Sequence, residues 1–217
     1  MRIAIFSDVH GNLPALEAFV EATRGAADAY LCLGDVVDYG PWNDECLELV
    51  HALPGSVLLE GNHERLFLGT EPVDRELPLV QEFYRTSSRF FSRRDLIAGL
   101  PTSYRLDAFV CAHTIDGRRI YADTEIEVRH DYLIGHTHHQ YEIRRSGRRI
   151  VNCGSVGQNR ARIDRAAYAV YDTASAELAL CQVPYRIDRL MRELTARGYP
   201  QPCIDYYRDK LARTVAS

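Results

Sequence analysis

"RIAIFSDVHGNLPALEAFVEATRG", Arg2 to Gly25, reads as a strand, a polar turn and a helix. The run "RIAIF" is short, apolar and rich in isoleucine, as a strand covered on both faces must be. It stops at Ser7 and Asp8. Asn12 then stands where a helix cap belongs, Pro14 suits the first turn, and Gly25 suits the end. Leu13, Leu16, Phe19, Val20 and Thr23 recur at helical spacing and give a mostly apolar stripe. The pattern then repeats. "AYLCLG", Ala29 to Gly34, is a second buried strand. "GPWNDECLELVHALPG" opens a helix near Asn43 and closes it at Pro54–Gly55. "SVLLEG", Ser56 to Gly61, is a third strand. Strands that alternate with helices imply parallel pairing.

The chemistry of the rest differs. Leu77 to Leu100 reads as helical, with Arg85, Arg89, Arg93 and Arg94 on a solvated face. From Tyr104 onward strands dominate. "QYEIRRSGRRIVNCG" is a hairpin that turns at Ser146–Gly147. "AYAVYD" at Ala167 to Asp172 and "AELALCQVPY" at Ala176 to Tyr185 extend this half. Ile187 to Ala212 closes the chain with one or two amphipathic helices. No repeat, low-complexity tract or linker interrupts the sequence, so residues 1–217 are expected to form one domain.

Each of the first three strands ends in polar residues: Asp8 and His10 in "SDVHGN", Asp35 and Asp38 in "GDVVDYG", and Asn62, His63 and Glu64 in "GNHE". Parallel strands present their carboxyl ends on one edge, where open α/β sheets bind ligands. His113 ends "FVCAH" in the same manner, and His136 and His138 follow the strand in "YLIGHTHHQ". Taken singly, each of these is an ordinary turn residue, helix cap or core histidine. Their joint placement after five strands favours a shared metal site, since imidazole and carboxylate together suit zinc, iron, nickel or manganese.

The ordered set D-x-H, GD-x-x-D, GNHE, a lone histidine and GH-x-H resembles the calcineurin-like metallophosphoesterases along nearly the whole chain. "MRIAIFSDVHGNLPAL", "LCLGDVVDYGPWNDEC" and "VNCGSVGQNR" resemble its prokaryotic branch of small phosphodiesterases and dinucleotide-polyphosphatase-like proteins. The resemblance implies an α+β fold: a four-layer αββα arrangement with a central β-sandwich of two mixed sheets flanked by helices. It implies that Asp8, His10 and His138 hold one divalent ion, that Asn62, His113 and His136 hold a second, and that Asp35 bridges the two. The catalytic set implied is His63, Asp35 and Asn62, with His63 as acid or transition-state donor rather than ligand. Asp38 and Glu64 are candidates for acceptors behind the imidazoles. His139 falls outside the motif and reads as strand or surface.

The activity implied is hydrolysis of a small phosphomonoester or phosphodiester by a metal-bridging hydroxide. Two divalent ions outweigh the charges of Asp8 and Asp35, so the site stays positive toward a phosphate. Manganese is the first expectation for both ions, with iron, zinc or nickel as alternatives. Some features depart from the family. "AHT" stands where many relatives have a glycine beside the histidine, and Cys153 where many have proline. The segment Thr114 to Leu133 lacks a helix that many relatives carry. Tyr39 and Trp42 fall near the expected mouth, where they suit either base stacking or core packing.

Composition narrows the alternatives. Charged residues make up 26% of the 217 and the net charge is −4, which gives no reason to expect a nucleic-acid or membrane partner. Arg144, Arg145, Arg148 and Arg149 on the hairpin are too isolated a patch to reverse that. The expected partner is a small phosphorylated substrate, and a homo-oligomer is compatible with the sequence. Cys32, Cys46, Cys111, Cys153, Cys181 and Cys203 form no C-x-x-C pair and read as buried thiols. With no secretory signal in the opening residues, they point to the cytoplasm. The competing enzyme readings are a dinucleotide polyphosphatase and a serine/threonine phosphoprotein phosphatase. The competing non-enzyme reading is a metal-binding interaction scaffold, which the intact ligand set opposes.

Overall fold

A computed structural model describes residues 1–216. The chain begins β1 (Arg2–Phe6), α1 (Leu13–Thr23), β2 (Ala29–Cys32), α2 (Asn43–Ala52), β3 (Val57–Leu58), α3 (Asn62–Leu68) and α4 (Pro78–Ser87). It continues β4 (Ser103–Leu106), β5 (Phe109–Ala112), β6 (Asp131–Ile134), β7 (Gln140–Arg145), β8 (Arg148–Cys153), β9 (Arg165–Asp172) and β10 (Glu177–Pro184). Helices α5 (Ile187–Ala196) and α6 (Gln201–Ala216) follow. One five-stranded sheet runs β10-β9-β1-β2-β3 and the other β4-β5-β6-β8-β7. Strands β1, β2 and β3 pair in parallel, as do β5, β6 and β8, while the outer pairs are antiparallel. Two mixed sheets flanked by helices are the α+β architecture expected from the sequence.

The alternation of side chains along β1 explains the layering. Ile3 and Ile5 point into the sandwich, where they meet Leu31, Leu133, Val151 and Ala169. Ala4 and Phe6 point the other way, into the core beneath the helices. There Phe6 meets Phe19 of α1 with ring centroids 4.6 Å apart. Asn12 caps α1 as expected, its side chain accepting from the Ala15 N–H. The outer face of the second sheet is covered by the segment between β5 and β6, through Ile115, Ile120 and Val128. That is where the sequence lacks a helix.

Three expectations are corrected in detail. The third strand is two residues rather than six. The Leu59 N–H still donates to Cys32 O of β2, but the Glu60 N–H goes to Pro101 O, at 2.9 Å, instead of to a strand. The helix over residues 77–100 ends at Ser87 and gives way to short 3₁₀ turns at Ser88–Phe90 and Arg94–Leu96. Asp44 keeps the helix from resuming: its carboxylate takes the Ser92 and Arg93 N–H groups and the Ser92 hydroxyl, so the backbone there has another partner. Arg93 consequently faces Glu48 on α2 and Asp95 rather than open solvent. Five cysteines are buried, but Cys181 on edge strand β10 is half-buried, and all six are free. On the hairpin, Arg145 is held by the Thr124 and Ala122 carbonyls and Arg149 by Glu142, so the patch is largely structural. No described helix is long and apolar enough to cross a membrane.

One side chain ties the two sheets together at their margin. The Gln140 amide donates toward the carbonyls of Cys153, Tyr168 and Cys181, on β8, β9 and β10, at 3.0–3.2 Å. Its oxygen accepts from Gln182 at 3.0 Å. Replacing it by alanine strands carbonyls in a half-buried seam, and Gln140→Ala is expected to cost about 1–2 kcal/mol. Urea unfolding checks this. An unchanged midpoint would mean that water replaces the amide without loss.

Candidate metal centre and cleft

The site forms where the parallel strands end. The backbone turns there through a conformation that L-residues avoid: φ is 56° at Asp8, 51° at His10, 55° at Asp35, 75° at Asp38, 69° at His136 and 61° at His138. Aspartate tolerates this region better than most, and a β-branched residue would not. The turns are stitched to one another. The Asp8 N–H donates to Gly34 O at 3.0 Å, His10 N–H to Asp35 O at 3.1 Å, and Gly157 N–H to Asp8 O at 3.0 Å. Two glycines are required by crowding alone. A Cβ on Gly61 would lie 2.1 Å from Asp35 Oδ1, and one on Gly135 2.1 Å from Ser7 Oγ.

Every residue singled out in the sequence as a ligand arrives in one of two adjoining groups. In the first, His10 Nε2 lies 3.1 Å from His138 Nε2, and His138 Nε2 lies 3.2 Å from Asp8 Oδ1. In the second, His113 Nε2 lies 3.0 Å from Asp35 Oδ2, 3.1 Å from Asn62 Oδ1 and 3.2 Å from His136 Nδ1. Asp35 Oδ2 also lies 3.9 Å from His10 Nε2, so one oxygen faces both groups. Donor atoms that share one ion at about 2.1 Å and right angles sit about 3.0 Å apart, which is the spacing found here.

Tautomers sharpen this. The ring Nδ1 of His113 is 3.0 Å from Leu33 O and that of His10 is 3.1 Å from Val37 O. A carbonyl only accepts, so both rings are protonated at Nδ1, and each neutral ring turns an Nε2 lone pair toward its neighbours. For His113 those neighbours are a carboxylate and an amide oxygen. Lone pairs face lone pairs, and a cation is what makes that arrangement favourable. Asp8 Oδ1 and His138 Nδ1 are buried and without any hydrogen-bond partner. The Asp8 oxygen points into the first group, so the donors present fit divalent metal ions.

Electrostatics agree. Burial works against a charged His113, but Asp35 outweighs it and raises the imidazole to about 9. Asp35 thus favours positive charge at this point of the site. Burial holds His10 and His138 well below the ordinary histidine range and pushes His136 down to about 4. Those three rings present lone pairs at neutral pH. Burial raises the Asp8 carboxyl, whereas His113 and His63 hold Asp35 well below the ordinary range despite its burial.

His63 differs in what holds its ring. Its Nδ1 is 2.8 Å from the carboxylate of Asp38, which belongs to neither group, and its Nε2 is 3.9 Å from Asp35 Oδ2, as far as His10 Nε2 is, so His10, Asp35 and His63 also converge. Burial disfavours its charge, but Asp35 and the Asp38 hydrogen bond raise it to about 10. Asp38 is fixed in turn by the Tyr39 N–H at 2.7 Å and the Ser87 hydroxyl at 2.8 Å. Asp38 therefore does back an imidazole, as the sequence suggested. Glu64 does not. Its carboxylate accepts at 2.8 Å from the N–H groups of Asp35, Val36 and Gly61, and so clamps two metal-site turns together. The acceptors behind His10 and His113 are main-chain carbonyls, which no sequence pattern reveals.

A cleft of ≈280 Å³ opens over Asp35, Asn62, His63, His136 and His138. Tyr39 is buried edge-on to His10, with centroids 4.7 Å apart, and reaches the cleft. Trp42 does not: it packs between Arg189 and Arg197. His139 is exposed, lines the cleft and meets Tyr121 edge-on at 5.8 Å. Arg119, Tyr121 and Arg160 line the cleft as well and were not singled out from the sequence. Arg119 and Tyr121 lie in a loop with no periodic or motif signal, whereas Arg160 ends the stretch "VNCGSVGQNR", which carried part of the resemblance without pointing to the arginine.

Residues 1–151 match the family model for calcineurin-like phosphoesterases. A metallophosphoesterase from Sphaerobacter thermophilus superposes with a TM-score of 0.78 at 28% identity, covering 98% of each chain. A hypothetical protein from Pyrococcus horikoshii superposes with a TM-score of 0.79 at 16% identity, covering 95% of this chain and 97% of its own. That likeness speaks for the fold alone. An uncharacterized protein of Methanocaldococcus jannaschii is 25% identical over 242 residues, which span 92% of this chain and 94% of that one.

The Glu64 clamp yields a prediction. Glu64→Ala leaves at least three buried N–H groups without partners, each worth about 1–3 kcal/mol, so a loss of about 3 kcal/mol or more is expected. Urea unfolding in the presence of chelator isolates this from metal binding. Glu64→Gln keeps an acceptor oxygen and should lose less. Equal losses for the two variants would show that charge, not hydrogen-bond geometry, makes the clamp.

Proposed function

We propose, since the chain belongs to the calcineurin-like phosphoesterase family and is a metal-dependent hydrolase of phosphoester bonds, that it acts with two divalent ions on the mono- or diesters of small molecules. The observation that carries the dinuclear reading is Asp35 Oδ2, a single carboxylate oxygen turned toward both His113 and His10. Asp8, His10 and His138 would hold one ion, and Asn62, His113 and His136 the other, with Asp35 between them. The mixed oxygen and nitrogen donors suit manganese, with iron, zinc and nickel as alternatives. Bound ions of this kind neutralise phosphoryl oxygens and acidify a coordinated water.

The chain's own residues supply the rest. His63 keeps Nδ1–H on Asp38 and turns Nε2 into the cleft, where it can give a proton to the departing oxygen. Asp38 is anchored twice and cannot turn away, so the ring is oriented before substrate arrives. The cleft is at the small end of ligand pockets, about 300–1,000 Å³, which supports a small substrate over a folded phosphoprotein.

Elemental analysis after reconstitution tests the ion count. The expected value approaches about two per chain, as a site that clamps both attacking and leaving oxygens needs. Asp35→Asn should lower metal content more than His63→Ala does, because Asp35 serves both groups. A saturating value of one ion, or metal loss in His63→Ala alone, would overturn the assignment.

The role of His63 is tested by leaving group. General acid catalysis is worth about 10²–10⁴-fold, and it matters most when the departing oxygen is basic. His63→Ala should therefore lose more turnover on an alkyl phosphoester than on the nitrophenyl counterpart, with metal saturating and chemistry rate-limiting. Equal losses across the series would make His63 a charge-stabilising group instead.

A further inference from the structure

Two arginines reach the cleft from different loops. Arg119 lies in the segment between β5 and β6, and Arg160 follows β8. Arg119 has no hydrogen bond or ion pair among the described residues. Arg160 is placed with more care. Its N–H donates to His138 O at 3.2 Å, and its guanidinium donates to the Tyr206 hydroxyl of α6 at 2.8 Å. Neither meets a carboxylate. By contrast Arg93, Arg189 and Arg197 each pair with a glutamate on the surface. Both arginines line the same cleft as His136 and His138, close to the metal groups.

Charge balance says what they are for. Two divalent ions would bring four positive charges, and Asp8, Asp35 and an attacking hydroxide three negative ones, so one phosphoryl dianion would leave the metal groups no positive charge to spare. His63 and Asp38 cancel each other. The two arginines then remain, opposed in the cleft only by Glu76. A guanidinium is the group best suited to a phosphate, because its planar fork matches two oxygens at once.

We infer that Arg119 and Arg160 form a second anion subsite at the mouth of the cleft, so that the substrate carries a second phosphate beside the scissile one, as nucleoside diphosphates do. This rests on the phosphoesterase reading above and refines its substrate class. The exposed face of Tyr121, set against His139, lies on the same wall for the organic part.

The test is calorimetric titration of the metal-loaded chain with inorganic pyrophosphate and with orthophosphate, after removal of excess metal and with metal content measured before and after. Pyrophosphate is expected to bind about 10-fold more tightly or better, as one charge-assisted pair commands. The double variant Arg119→Gln/Arg160→Gln should bring the two affinities together, and lysine at either position should restore part of the difference. Hydrolysis of adenosine diphosphate and monophosphate is followed in parallel, and the ratio of their kcat/KM values should fall with the same variants. Equal affinity for the two anions in the unaltered chain, or a preference that survives the double variant, overturns the subsite. Arginine-dependent pyrophosphate binding without any hydrolysis upholds the subsite and overturns the phosphoesterase reading instead.

Discussion

Lone pairs crowded at 3.0–3.2 Å are the constraint around which this protein is built. Left alone, two imidazoles, a carboxylate and an amide oxygen would turn away from one another toward water. Here Asp35 and His113 are buried and Asn62 and His136 half-buried, and the rings of His10 and His113 are pinned from behind by main-chain carbonyls. The polypeptide therefore stores unfavourable electrostatics that a cation relieves. Metal binding and the completion of the site are in this sense one event.

Holding that arrangement needs rigidity at several points, and the fold supplies it by parallel pairing. Strands β1, β2 and β3 deliver Asp8, Asp35 and Asn62 to one edge, and β5, β6 and β8 bring His113 and His136 to meet them. The turns after these strands adopt left-handed backbone at Asp8, Asp35 and His136, each at a local cost of about 1–3 kcal/mol. Glu64 offsets part of that cost by satisfying three N–H groups of the same turns. Packing inside the sandwich, through Ile5, Leu31 and Leu133, keeps the strands from sliding out of register.

Function then follows from a gradient of charge through the cleft. The floor is built for cations. On one wall His63 is oriented by Asp38, and Asp35 favours its protonated form. The mouth carries Arg119 and Arg160 in a chain whose net charge is −4. A local positive field inside an acidic protein draws an anion to one place rather than to the whole surface.

The sequence by itself determined which strands end at the site and what they carry. Strand ends are marked by the switch from apolar to polar residues, and "SDVHGN", "GDVVDYG", "GNHE" and "GHTH" are each such a switch. Periodicity likewise determined α1, α2 and the β7–β8 hairpin, while the sandwich of two mixed sheets followed from the resemblance to the phosphoesterases. What lay beyond it were effects made by distant partners. Asp44 takes the Ser92 N–H from 48 residues away and keeps the helix from resuming there. Glu64 looked like an imidazole partner and clamps backbone, because its donors are main-chain groups that no residue code spells out. Arg119, Arg160 and Tyr121 sit in loops without periodicity, so only the closure of two sheets over one another could bring them to the cleft. Local order is written in the spacing of side chains, whereas the tautomers, the clamp and the mouth depend on which backbone atoms end up facing them.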